Sequence, residues 1–238
     1  MEKRAELSPR LQGVAEMIPE GARLADVGTD HAYLPAWLLQ NGRIPSAIAS
    51  DMREGPISRA RAPARARGCF GRMSLRLSDG LSGIAPEEVD ALVIAGMGGE
   101  TIANILEAAP WIKEKDFPII LQPMSTQAEL RGWLWRNGFL CLREKTVLEG
   151  ETLYSIILAR QGGAVPMTPA EEWAGRQYPG MEDPLRGLLL DHLLGRVRRA
   201  LDGMARSRAP AEARRRELEQ VLEGLMAMRK AWDASQPR

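Results

Sequence analysis

Apolar positions along this chain switch between two periods, and the switches mark its elements. Leu7, Leu11, Val14, Ala15 and Ile18 recur at helical spacing, and Pro19-Glu20-Gly21 ends that run before a strand. Short apolar runs predict strands at 22–28, 46–51, 74–77, 89–95 and 117–121. Helix-compatible stretches separate them at 33–41, from Gly55 onward, at 100–108 and at 126–137. Pro63 predicts an irregular middle for the helix that Gly55-Pro56 opens. Residues 139–148 and 152–160 alternate apolar and polar positions around Glu149-Gly150-Glu151, the pattern of an antiparallel hairpin. Strands alternating with helices and closed by a hairpin predict an α/β fold with a mostly parallel, Rossmann-like sheet.

The pattern changes after Gln161. Gly162-Gly163 with Pro166, Pro169 and Pro179 predicts a linker, and beyond it two apolar stripes run at helical spacing. Leu185, Leu189, Leu193, Val197, Leu201 and Met204 form the first; Leu218, Val221, Leu222, Leu225, Met228 and Trp232 form the second. Ser207-Arg208-Ala209-Pro210 breaks the pattern between them, so the tail reads as a coiled-coil-like helical hairpin. The organisation expected is a body over 1–162 and a helical domain over 163–238.

Charge separates the two further. The whole chain of 238 residues carries a formal +1, yet Asp183–Arg238 holds 12 basic against 8 acidic residues. The remainder is therefore net acidic, and an arginine-rich stretch with Arg59, Arg61, Arg65 and Arg67 stands out within it. Any nucleic-acid surface has to be a local patch. The two cysteines, Cys69 and Cys141, have no metal-ligand spacing, so neither a disulfide framework nor a metal site is expected. No run approaches the ~20 apolar residues of a spanning helix, and no signal peptide is read, so the expected location is the cytoplasm without membrane contact. The oligomeric state is not encoded legibly; a monomer is the simplest reading.

Candidate chemistry gathers at strand ends, where doubly wound sheets bind ligands. Leu24 to Pro35 reads L-A-D-V-G-T-D-H-A-Y-L-P. Of the dinucleotide fingerprint G-x-G-x-x-G only Gly28 survives, and Asp30 would repel a pyrophosphate. Asp26 at the strand end suits a cationic, phosphate-free ligand, for which S-adenosylmethionine is the leading candidate. Gly28 lets the backbone approach the ligand, and Asp51, 25 residues beyond Asp26, is placed to accept ribose hydroxyls. Asp79 and Gly80, after the third strand, are candidates for the adenine end. Gly96-Met97-Gly98-Gly99 follows the fourth strand and leaves a slot for a flat base. Asp30, His31 and Met97 are the candidates for gripping the substrate. His31 serves a structural role equally well, and His192 reads as a surface residue.

These residues resemble a known family. D-V-G-T-D-H-A-Y-L-P, I-A-G-M-G-G, L-Q-P at Leu121–Pro123 and L-R-G-W-L-W-R-N-G-F at Leu130–Phe139 are similar to the bacterial TrmK family over about Leu7–Arg160, and the helical tail matches that family's C-terminal domain. The resemblance implies a class I methyltransferase sheet, S-adenosylmethionine as cofactor, tRNA as partner and methylation of N1 of the adenine at position 22. It implies Asp26, Gly28, Asp30 and His31 in the cofactor loop, Asp51 at the ribose, Asp79 at the adenine and Gly96–Gly99 on the catalytic face. Asp51 stands where the family often has glutamate, and Met124 where it often has asparagine. The absence of Asn-Pro-Pro-Tyr or Asp-Pro-Pro-Tyr after strand four argues against amino-directed N6 chemistry. Rival readings are a methyltransferase acting on another substrate, a catalytically silent RNA-binding protein of this fold and, least favoured for want of the glycines, a nicotinamide-dependent dehydrogenase.

Overall fold

Parallel pairing builds the centre of the sheet from strands too short and too apolar to stand alone. The computed structural model describes residues 6–66, 68–206 and 212–236. Its strands are β1 (Leu24–Val27), β2 (Ala47–Asp51), β3 (Met73–Leu77), β4 (Ala91–Gly98), β5 (Ile119–Ser125), β6 (Phe139–Glu149) and β7 (Thr152–Gln161). They form one sheet in the order β3-β2-β1-β4-β5-β7-β6, with β7 antiparallel to both neighbours. Every residue of β1 and β2 is buried, as expected for strands covered on both faces.

The covering helices are α1 (Pro9–Met17), α2 (Tyr33–Gln40) and α3 (Glu54–Ala66) on one side, α4 (Gly99–Glu107) and α5 (Gln127–Arg136) on the other. One core joins Val14, Leu38, Ala49, Val93 and Ile120; the other joins Val27, Leu92, Ile102, Leu130 and Ile157. The helix α3 runs continuously over Glu54–Ala66, through the position of Pro63. Arg67 lies outside the described residues.

Two strands run longer than their apolar stretches. β4 continues through Gly96-Met97-Gly98 and β5 through Gln122-Pro123-Met124-Ser125, pairing Met97 with Pro123 and Gly98 with Ser125 across register shifts. Gly99 then packs against the following turn so closely that a Cβ would sit 2.2 Å from the Thr126 carbonyl oxygen. The extended tails of β4 and β5 form a wall above the sheet's carboxyl edge.

The expected linker holds a helix. Thr168 caps α6 (Pro169–Ala174): its hydroxyl accepts from the Glu171 amide at 3.3 Å, and the Glu171 carboxylate accepts from the Thr168 amide at 2.8 Å. With α7 (Arg186–Arg206) and α8 (Glu212–Ser235), α6 encloses a third core of Ala170, Leu190, Val197, Val221, Leu225 and Trp232. The break expected at 207–210 lies outside the described residues. Among the described residues no helix is long and apolar enough to cross a membrane.

Candidate active site

A cleft of about 540 Å³ opens where β1, β2 and β4 end, the edge at which open α/β sheets receive ligands. The amides of Gly28 and Thr29 both donate to the Ser50 carbonyl, at 2.8 and 2.9 Å, and draw the first turn over the end of β2. Gly28 has φ +75°, and a Cβ there would lie 1.8 Å from Met97 Cε. The positive φ favours glycine here, and any side chain would also have to displace the Met97 methyl that crosses it. The same loop carries His31 and Ala32 at φ 62° and 50°. Asp30 accepts from Arg59 of α3 at 3.0 Å, and the His31 ring stacks on Tyr33 with centroids 5.2 Å apart.

The electrostatics are uneven. Burial pushes the Asp26 carboxyl up to about 6, and a hydrogen bond from Thr29 only partly offsets that. Beside it, Ser50 Oγ is buried without a hydrogen-bond partner among the described residues. Asp51, also buried, accepts from the Arg53 amide at 2.8 Å and from Arg53 Nε at 3.3 Å. The cleft's cations fall into two groups. Arg53 and Arg59 each hold an aspartate, whereas Arg10 of α1 donates to a neutral acceptor, Gln122 Oε1, at 2.7 Å. Gln122 is fully buried, and its Oε1 also accepts from the Gly96 amide at 3.1 Å while its Nε2 donates to the Pro123 carbonyl at 2.9 Å. The Arg10 amide donates to Glu149 of the β6–β7 turn, and its guanidinium lies over the Tyr154 ring.

Asp26, Gly28, Asp30, Asp51, Gly96 and Met97 thus meet in one cleft. His31 does not line it and instead backs Tyr33, which does. Asp79 and Gly80 follow β3, on the far side of β2, and are not part of the cleft wall; Asp79 is exposed, and its carbonyl accepts from the Ser82 amide and hydroxyl. Sequence reasoning missed Arg10, Tyr33 and Arg53 as cleft residues, and Gln122 as the buried residue that holds Arg10 and the Gly96 amide. For Gln122 a signal existed: a glutamine directly following the run Ile119-Ile120-Leu121. Arg10 carried none, being one polar position on an amphipathic helix. A larger cavity of about 870 Å³ lies between α1, β6 and residues 178–185, away from the strand ends; Glu16, Lys145 and Glu144 in its wall are held in ion pairs. Among the described residues no cluster of His, Cys, Asp or Glu could hold a metal.

The donor set matches a ligand with separated charges. A desolvated carboxylate (Asp26) can meet a cation, Asp51 can accept from a diol, and Arg10 keeps donors available for an anion. Asp30 lines the cleft directly after the Gly28 turn, where its carboxylate disfavours a pyrophosphate. These features fit S-adenosylmethionine.

Fold and cleft together define an α/β methyltransferase, and the methyltransferase-domain family matches residues 7–157. A curated tRNA (adenine(22)-N(1))-methyltransferase of Bacillus subtilis is 40% identical over 156 residues, 66% of each chain, so the aligned part falls just short of two thirds of that enzyme. The crystal structure of the B. subtilis m1A22 tRNA methyltransferase TrmK is 30% identical, covering 94% of this chain and 96% of that one, with a TM-score of 0.77. Streptococcus pneumoniae Sp1610, solved in complex with S-adenosyl-L-methionine, is 30% identical over 94% of this chain and 100% of its own, with a TM-score of 0.80. The chain belongs to the TrmK family.

Proposed function

We propose that this protein transfers a methyl group from S-adenosylmethionine to N1 of the adenine at position 22 of tRNA, and that it does so in the cytoplasm as a monomer. The observation that carries the reading is the convergence of Asp26, Asp51 and the Gly96–Met97 wall on one cleft of a TrmK-family sheet. When bound there, S-adenosylmethionine supplies an electrophilic methyl group on a sulfonium.

The chain's own residues do the rest. Asp26 meets the ligand's ammonium, which relieves the cost of burying that carboxylate. Arg10, held by Gln122, is directed at the ligand's carboxylate. Asp51 accepts from the ribose hydroxyls. Adenine N1 already presents a lone pair, so no general base is needed and positioning carries most of the rate. Asp30 and Met97 hold the target base, with His31 backing Tyr33 outside the cleft wall, and Asp30 stabilises the positive charge that methylation leaves on the base. N1 lies on the pairing edge, so the base is received unpaired or flipped out.

The body over 1–162 is the catalytic unit and the tail over 163–238 contacts tRNA. In α7, Arg196, Arg198, Arg199 and Arg206 are exposed. The run Arg214–Arg216 contributes less, because its members are paired within α8 to Glu217, Glu219 and Glu212. Transfer of a labelled methyl group to unmodified tRNA tests the reading: label enters the wild-type transcript and not one in which adenine 22 is replaced by guanine. Equal labelling of both transcripts would overturn the site assignment.

A further inference from the structure

Among the contacts between tail and body is a buried polar cluster of definite construction, beside the Trp135 Nε1 donation to Glu172 at 2.8 Å and the packing of Leu153 against the tail core. Arg131 of α5 is 0% exposed. Its Nε and Nη2 grip the Glu144 carboxylate of β6, with Nη2 at 2.7 Å, and its Nη1 donates to the carbonyls of Glu172 and Trp173 at 2.9 and 3.1 Å. From the other side Arg186, the first residue of α7 and equally buried, donates to the carbonyls of Ala174 and Gly175. The last carbonyls of α6, which have no partner within the helix, are thus divided between one arginine of the body and one of the tail. Both cations suit the negative end of the helix dipole.

Two carboxylates balance them. Glu144 serves Arg131, and Asp183 accepts from Thr146 of β6 at 2.7 Å while its second oxygen accepts from the Leu185 amide at 3.1 Å as α7 begins. Gly175 closes the cluster: at φ +75° a Cβ would lie 2.7 Å from both Glu144 carboxylate oxygens. From Arg186 the contacts continue to Gln177, whose side-chain amide donates to the Met228 carbonyl of α8. Both tail helices are therefore referenced to β6 and α5, and α5 begins directly after the β5 tail that walls the cleft.

Stability alone does not account for this design. Replacing a buried ion pair by apolar side chains of similar size is often neutral or stabilising, whereas these two arginines tie α6 to α5 and α7 through named carbonyls. We propose that the Arg131–Glu144–Arg186 clasp at the end of α6 is a positioning device that sets the tail at one orientation to the cleft, so that tRNA held by the tail presents its adenine to the methyl group. The inference rests on the reading that the tail contacts tRNA. Two contacts on one RNA reinforce each other only when their spacing matches it.

The test replaces the clasp without emptying it. In a Cys141→Ser background, spin labels at Glu87→Cys on the body and Asp202→Cys on the tail report the body–tail distance in the full chain. The wild type should give one narrow distribution. Arg131→Met with Glu144→Leu should broaden it and raise KM for tRNA about tenfold, the scale of lost reinforcement between linked contacts. Its S-adenosylmethionine affinity, and its turnover at saturating tRNA, should stay within about twofold of wild type, a split that general loss of fold cannot produce. Glu144→Gln, which keeps the side chain's shape and removes its charge, should move both readouts the same way and serves if the double variant does not fold. An unchanged distribution, a broadened one with unchanged KM, or a KM rise matched by loss of cofactor affinity would each overturn the clasp. A wild-type protein that methylates no tRNA would overturn the functional reading instead, while the distance arm still decides whether the clasp orients the tail.

Discussion

The cleft and the clasp are both built from buried charge, and they differ in what is left over. In the clasp, Arg131 pairs with Glu144, Arg186 is held by the carbonyls of Ala174 and Gly175, and Asp183 accepts from Thr146 and the Leu185 amide. In the cleft, Asp26 is buried with only Thr29 to oppose the cost, and Arg10 rests on a neutral amide. A satisfied cluster holds geometry; an unsatisfied one awaits a ligand whose charges complete it. Burial alone does not separate the two cases, whereas the count of unmet partners does.

The strongest way to break the comparison is to unbalance the clasp. Arg131→Met alone leaves Glu144 buried without its cation and should cost about 3–5 kcal/mol of unfolding free energy, read by denaturant titration. The double replacement with Glu144→Leu should recover most of that. If the single variant is as stable as wild type, the clasp is not a closed network.

In the cleft the same kind of change should act on binding and spare stability. Asp51→Ala should weaken S-adenosylmethionine by about 1.5–3 kcal/mol in calorimetry, the worth of a charged hydrogen-bond acceptor. Unchanged affinity would remove Asp51 from the site.

The contrast between regions also governs what the sequence could reveal. Features written in adjacent residues were legible: the Asp26–Gly28 turn, the 139–160 hairpin and the two tail stripes all follow from periodicity and local turn chemistry. The α6 cap was equally local, since Thr168-Pro169 with Glu171 is a helix start, but the surrounding glycines and prolines masked it. Contacts across the chain were not legible. Arg131 lies 13 residues from Glu144 and more than 40 from the carbonyls it caps, and Arg10 reaches Gln122 across 112 positions. Neither pairing leaves a periodic trace, because one polar residue on a helix reads the same whether it faces water or a buried partner. Asp79 shows the converse: the order of strand-end acids put it in one series with Asp51, yet sheet order sets it beyond β2 and outside the cleft wall.

A smaller effect sharpens the electrostatic side. Asp26 titrates in the free protein near 6, above the ordinary 3.8, so its contribution to stability is present below 3.8 and is lost as pH rises through about 6. For a cationic ligand the sign reverses. Affinity should be full above pH 6 and fall by up to about tenfold per pH unit below it, with a proton released on binding there. Calorimetry at pH 5.5 in buffers of different ionisation enthalpy reads that proton, and Asp26→Asn should abolish it. A binding constant flat from pH 7.5 to 5 would place Asp26 away from the ligand's charge.

The measurement closest to the central claim identifies the product itself. Unmodified tRNA incubated with the protein and S-adenosylmethionine is digested to nucleosides and analysed by mass spectrometry. N1-methyladenosine is expected, recognised by its alkaline rearrangement to the N6 isomer. N6-methyladenosine formed directly, with no such rearrangement, or no methylated adenosine at all, would contradict it.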